Sequence, residues 1–552
     1  MRVLATILIT LLLTGVAQAQ TLANSPSSKG SVEGHVLDAD TGAPVPNVPV
    51  SVEGSSESVK TDTAGRFTVP GLSPGMHSVR VLSQFLGSFL ATGEVNVESG
   101  SQPAEIDFRV RMDGSISGRV LDENKEPLKG LTVFLIGREY VGGVLRYSTD
   151  GRARTNDRGE YHVDHVRPRH AYLVLAESGK QSTGAISDGD PAHRKPVLVP
   201  TYFPNSTSIA GAIPVALLSS AEHRDGVDIL VSSSPSYCVE AMLTADGRPA
   251  ALSFDIQNTQ DFSKFRPAGV GSSSDATSDA MSGPDGRIRV CGLPSGEFQL
   301  VAFRRPEHRR EPLPYLGITS VTITDDDVRG IRLTASRPVT ITGEVKWSDS
   351  SSDNTPPGEL YVNILRLSLP SPLGPSKSVK VSVPGQFSVA GLPEGDYSLR
   401  VGVRAANAYV KDVLYGGLSV LHKPLQIQGE GGGTLSVVVG RDGGSIQART
   451  ADSDGKIVPF TWVAILPSSA GSQAILGDAM IYGQSDQNGS FRSLPLAPGK
   501  YRVIAATEEM SRTPEVVDKI WERRITTEEV EVSPRAVTHV DLEPKTIDWA
   551  AQ

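Results

Sequence analysis

Residues Gly71-Leu72-Ser73-Pro74-Gly75 spell Gly-x-Ser-x-Gly, the pattern of a hydrolase nucleophile elbow. That chemistry needs a strand, a sharp turn and a helix, with a histidine and an acid brought up from elsewhere. The residues that follow, Met76 to Leu82, alternate as a strand does. Equivalent stretches read GLPSG from Gly292, GLPEG from Gly391 and LAPG from Leu496, and none keeps serine in the same place. Ser73 is therefore expected in a turn between strands, and no catalytic residue is expected there.

Other residue sets could do chemistry. His308-Arg-Arg-Glu311 has the His-x-x-Glu spacing of zinc carboxypeptidase ligands, with His422 as a third group. These residues fall in a loop between β-patterned segments, where the α/β framework of such an enzyme is lacking. The same loop packs Arg304, Arg305, Arg309 and Arg310 together, a candidate anion patch through bidentate guanidinium contacts. His162, His165 and His170 cluster with Asp164. Along a strand His162 and Asp164 share a face while His165 points the other way, which weakens a joint metal site. Asp325-Asp326-Asp327 and Asp38-x-Asp40 could offer carboxylates to calcium. Neither has calcium-loop spacing, and both read as solvated turns. No metal or cofactor is expected.

Aromatic rings could stack on sugars. Tyr202 and Phe203, in the loop stretch VPTYFPNSTS, are the candidate ligand contacts; Trp462 is expected in a core, Trp347 in a strand-turn and Trp521 in a helix.

The elements that must position these residues recur. An opening strand, turn and second strand start at Ser31, Ser115, Tyr237, Val339 and Ser445. A second mark follows, as TDTAGRFTV, TNDRGEYHV, SGPDGRIRV, VSVPGQFSV and SDQNGSFRS, aligning Gly65, Gly159, Gly286, Gly385 and Gly489. Glycine suits a tight turn at positive φ. The third mark reads PGLSPGMHSVRV, DHVRPRHAYLVL, CGLPSGEFQLVA, AGLPEGDYSLRV and PLAPGKYRVIA. In it Leu72, Leu293, Leu392 and Leu496 precede the turn, and His77, Tyr172, Phe298, Tyr397 and Tyr501 begin the next strand. Each copy has about seven short strands, the strand count of a small antiparallel sandwich.

The expected architecture is all-β, a tandem array of five such sandwiches at 30–112, 113–234, 235–335, 336–440 and 441–546. A Ser-rich leader occupies 20–29, and copy two carries an insertion at 178–208. Short connections predict a semi-rigid string. One helix is expected, from Pro514 to Arg524, where Val516, Val517 and Ile520 have helical spacing and Pro514 suits a first turn.

Composition bounds the function. A length of 552 residues implies several domains, and 55 Gly with 38 Pro favour turns over long helices. The formal net charge of −9 offers no broad basic surface and argues against a nucleic-acid protein. Arg2, the apolar run Val3 to Val16 and Ala17-Gln18-Ala19 read as a signal peptide (1–19) cleaved after Ala19. The mature chain has no other apolar run that could span a membrane, so a secreted, periplasmic or envelope location is expected. Cys238 and Cys291 both fall in copy three. In an oxidising compartment they predict an internal disulfide, with two buried free thiols as the alternative.

The order of marks resembles the carboxypeptidase regulatory-like domain, most clearly at 30–81, 113–135, 282–302, 381–401 and 485–505. The resemblance implies a prealbumin-like sandwich, often grouped with carbohydrate-binding-like folds. It also implies a non-catalytic folding or interaction module, as in secreted envelope proteins of Acidobacteria type. Gram-positive adhesin domains of the collagen-binding B type share the turn pattern. They follow the tyrosine with a glutamate that promotes an isopeptide bond, whereas Tyr397 and Tyr501 here are followed by Ser-Leu-Arg and Arg-Val-Ile. The expected role is a non-enzymatic interaction scaffold whose partners are envelope proteins or glycans. The alternative is a carbohydrate-binding protein serving a glycan-degrading or uptake system, and a metallo-carboxypeptidase or other hydrolase is a remote third.

Overall fold

A computed structural model describes residues 29–83, 89–99, 102–177, 196–258, 264–265, 280–304, 314–349, 358–367, 377–405, 407–428, 433–522 and 525–547. The leader, apart from Lys29, and the signal peptide lie outside them.

The chain divides into two compact units, one holding residues up to Val36 with Val45–Ile106, the other Leu37–Pro44 with Asp107 onward. In the first unit, the opening strand Gly30–Asp38 alternates buried and half-buried positions along its whole length. That alternation lets one face turn inward over a core of Val32, Val36, Val50, Phe67 and Val79. The strand pairs antiparallel with Arg66–Leu72 and parallel with Ala104–Glu105. A facing sheet runs in the order Val59–Lys60, Pro49–Val52, Gly75–Leu82, Phe89–Val97.

The second unit repeats this plan. In each of copies two to five, one sheet is built on the opening strand and the facing sheet on the strand of the third mark. The array is all-β, and every copy adds one feature to the antiparallel pattern. Its opening strand runs parallel to the closing strand, as in Val339–Trp347 beside Thr434–Gly440 and Ser445–Thr450 beside Val537–Leu542. Copies two to four each enclose their own apolar cluster, copy four around Leu360, Val362, Leu392, Tyr397 and Val437. Each such side chain stabilises the fold by about 1.5–3 kcal/mol through burial.

In copies one, two and five the second mark is an Asx turn. Asp62 Oδ1 accepts from the N–H groups of Ala64 and Arg66, Asn156 Oδ1 from Arg158 and Glu160, and Asp486 Oδ1 from Asn488 and Ser490. Gly65, Gly159, Gly286 and Gly489 all have φ near +70° to +80°. Gly385 departs from the expected positive φ. Its alignment rests on close approach, since a Cβ there would lie 2.5 Å from the Ser382 carbonyl oxygen.

Two α-helices occur among the described residues. α1, Gln473–Ala479, is capped by Ser472, whose side chain accepts from Ile475 N–H. Nothing in the apolar spacing announced it. α2, Pro514–Trp521, ends before the expected Arg524 and buries Val516, Val517 and Ile520. Arg523 and Arg524 lie outside the described residues.

A candidate functional site where three copies meet

The third mark explains itself in copy one. His77, at the start of its strand, sets Nε2 2.7 Å from the Ser73 carbonyl oxygen and Nδ1 2.6 Å from that of Glu53. The turn uses the serine backbone, and the side chain is exposed. Tyr397 donates to the Pro393 carbonyl at 2.5 Å and Tyr501 to that of Ala497 at 2.8 Å. In all three a ring reaches back four residues to pin the turn, the device of a tyrosine corner. Burial pushes the Tyr397 phenol up to about 12, so it stays a donor. Residues 31–111 match the carboxypeptidase regulatory-like domain.

That match covers copy one. A search of curated proteins finds no match. Similar solved structures include the Bacillus anthracis TIE protein, at 12% identity, covering 81% of this chain and 76% of that one, with a TM-score of 0.16. Another is the Streptococcus agalactiae minor pilin GBS52, at 14% identity, covering 41% and 96%, with a TM-score of 0.20. A third is the RrgB pilus protein of Streptococcus pneumoniae, at 9% identity, covering 79% and 99%, with a TM-score of 0.15.

Copy two departs from the regulatory-like pattern. Its turn has no glycine; His165 and Arg169 hold the positive φ values, +59° and +62°. It also has one residue more, so Tyr172 reaches back to the Arg167 backbone. The arginines of this turn face an acidic pair in copy five. Arg167 lies 3.4 Å from Glu509 and Arg169 3.4 Å from Glu508. Burial raises the Glu509 pKa against the pull of Arg167 and of Arg111 and Arg169. His170 is pushed down to about 3 by burial and by Arg167, so its ring is neutral at ordinary pH.

The hairpin of copy two carries the contact further. Strands Thr132–Val141 and Val144–Arg154 are joined by Gly142 and Gly143, both at positive φ, as a two-residue hairpin loop requires. Gly142 N–H donates to Asp478 Oδ1 of α1 at 2.7 Å. His422 of copy four sets Nδ1 2.8 Å from Asp478 Oδ2. One buried carboxylate thus ties a hairpin of copy two, a turn of copy four and a helix of copy five. Burial alone would raise the Asp478 pKa; the His422 and Gly142 bonds outweigh it and hold it below the ordinary value.

Space is tight as well. A Cβ on Gly142 would lie 2.6 Å from the Ser398 Cβ, and one on Gly143 2.3 Å from the His422 carbonyl oxygen. Tyr140 enters the apolar cluster of Leu476, Met480, Met510, Val516, Val517 and Ile520. Its N–H donates to the Arg512 carbonyl at 2.9 Å and its hydroxyl to Asp518 at 3.1 Å. Arg138 is ion-paired with Glu515 of α2.

The expected site residues fall elsewhere. Cys238 and Cys291 face each other across neighbouring strands and form a disulfide. The surface role expected for Tyr202 is overturned. It is fully buried among Ile136, Leu173 and Leu175, and a ring with no exposed face cannot stack on a sugar. Phe203 likewise packs against the copy-two core, because the end of the insertion folds back as the short strand Thr201–Tyr202 on Leu175 and Ala176. Arg304 is exposed, its guanidinium 5.4 Å from the Tyr315 ring centroid. Arg305, Arg309 and Arg310, with His308 and Glu311, lie outside the described residues. His162 and Asp164 share a face and are 2.8 Å apart. Asp38 Oδ1 accepts from Asp40 and Thr41 of its own turn, and Asp327 Oδ1 accepts from Cys238 N–H. Trp462 is half-buried beside the copy-five cluster, as is Trp521; Trp347 packs on copy four.

Proposed function

We propose that this chain is an exported, non-enzymatic structural protein in which copies two, four and five are locked into one platform at the cell envelope. The observation that carries the reading is the convergence of Gly142, His422 and three-copy packing on Asp478. A loose chain of independent modules would have no use for a buried, doubly bonded carboxylate between copies, because such a group destabilises unless every partner is in place. Of the residues whose types suggested catalysis, Ser73 is spent on a turn and His422 on this junction. No helix among the described residues is long and apolar enough to cross a membrane, which leaves β-barrels out of account. On this reading the five sandwiches keep the boundaries derived above, export follows cleavage after Ala19, and the partners are envelope proteins or glycans.

Hydrogen exchange on the mature chain tests the platform. The amides of 138–145, 473–480 and 508–520 should open together in one cooperative step. Independent opening of the copy-two hairpin and α1 would overturn it. N-terminal sequencing of exported material should begin at Gln20. Peptide hydrolysis abolished by His308→Ala would replace the structural reading with an enzymatic one.

A further inference from the structure

Copy four presents one broad sheet face outward, ordered Lys377–Val383, Gly358–Arg366, Gly395–Arg404, Leu425–Ile427. On its middle strand Glu359, Tyr361 and Asn363 point away from the core, because Leu360, Val362 and Ile364 point into it. The register then places Lys380 and Gly402 on either side of Tyr361, Arg404 beside Glu359, and Arg400 beside Asn363. The Lys380 ammonium lies 5.8 Å and the Arg404 guanidinium 5.5 Å from the Tyr361 ring centroid. At Gly402 nothing stands within 4 Å of where a Cβ would be, so the surface next to the ring is open.

One end of this face is covered. The copy-two hairpin sets Gly142 against Ser398, two residues from Arg400. The same hairpin brings Arg146 up to the seam. Burial, and then the like charge of Arg400, lower the Arg146 pKa, with Glu139 opposing across the hairpin. Glu359 answers Lys380 at 2.6 Å and accepts from the Tyr361 hydroxyl at 3.0 Å. Among the described residues neither Arg146 nor Arg400 has a carboxylate within ion-pair distance. The junction therefore brings two guanidiniums within each other's field with no carboxylate in ion-pair contact with either, in a chain whose overall charge is negative. Like charges held close by a fold are an unfavourable arrangement that an anion relieves.

We propose that this seam binds an anionic polysaccharide, its carboxylates meeting Arg146, Arg400 and Arg404 and one sugar ring lying against Tyr361. Three features favour a polysaccharide over an acidic protein. The outward side chains Glu359, Tyr361, Asn363, Lys380, Arg400 and Arg404 are polar and offer no aliphatic anchor point. Its central strands have no free backbone edge for an added strand. It sets an aromatic ring among spaced cations, which suits a chain that repeats a carboxylate and an apolar ring face. The inference goes beyond the platform reading, and its failure would leave the exchange behaviour above untouched.

Calorimetric titration of the mature chain with oligogalacturonate tests it, alongside methyl-esterified oligogalacturonate and poly-glutamate. Saturable binding is expected, weakened tenfold or more by Arg400→Gln and by Tyr361→Ala, with both comparators at least tenfold weaker. Both substituted side chains are on the surface, and unchanged thermal melting confirms that the variants are folded. No saturable binding, binding indifferent to Arg400→Gln, or poly-glutamate binding as well with no loss on Tyr361→Ala would each overturn the proposal. The last of these would assign the seam to acidic proteins.

Discussion

Copies one and two use the same turn to opposite ends. In copy one, Gly71 and Gly75 take up positive φ at no steric cost and the turn ends in solvent. In copy two, His165 and Arg169 are held at positive φ, a conformation that costs an L-residue about 1–2 kcal/mol. Those side chains belong to the stretch that engages Glu508 and Glu509. At Arg169, where the repeat abandons glycine, the side chain it keeps instead reaches Glu508 of another copy. The departure, more than the consensus, marks the interface.

Substitutions can sharpen this contrast. Gly142→Val should have the largest effect. It combines positive φ with a Cβ 2.6 Å from Ser398, and overpacking alone costs about 1–3 kcal/mol. Gly71→Val, with nothing within 4 Å, should show the backbone strain alone. Denaturant unfolding of the two variants measures the difference; equal losses would mean that Gly142 is an ordinary hairpin glycine. Asp478→Ala comes next, at about 3 kcal/mol, because it strands the buried Gly142 N–H and takes the partner from the half-exposed His422 ring. Proteolysis between 138 and 145 should accelerate with it, and an unchanged rate would break the three-copy tie.

A smaller effect should follow pH. Glu509 has a raised pKa when folded, so the folded state holds its proton more tightly, and its contribution to stability fades as pH rises above 4.5. Asp478 has a lowered pKa, so its contribution is present above 3.8 and is lost as pH falls below that. Glu509→Gln should flatten the upper limb and leave the lower one. Chemical denaturation across pH 3 to 7 distinguishes them. Ser73→Ala should change stability least, within about 0.5 kcal/mol, since only its carbonyl is used. A larger loss would return Ser73 to consideration as more than a turn residue.

The all-β array was legible because its signals are local. Alternation along Gly30–Asp38 and the Asx turn at Asp62 each depend on residues within a few positions of one another. α2 was legible for the same reason, through Pro514 and the spacing of Val516, Val517 and Ile520. α1 was not, because its buried residues Leu476, Gly477 and Asp478 answer to Tyr140 and Gly142, more than 330 positions away. Tyr202 misled for a related reason. Its neighbours in sequence are loop-like, whereas its burial comes from Ile136, Leu173 and Leu175.

By itself, then, the sequence determined which residues alternate and which turn, because strand period and turn chemistry act over a handful of residues. It reduced GLSPG from an apparent nucleophile to the punctuation of a repeat. Only the tertiary structure decided that His422, Gly142 and Asp478 meet, and that Gly142 comes to rest against Ser398. Contacts between side chains hundreds of residues apart depend on how whole sandwiches pack, and no local pattern encodes that packing.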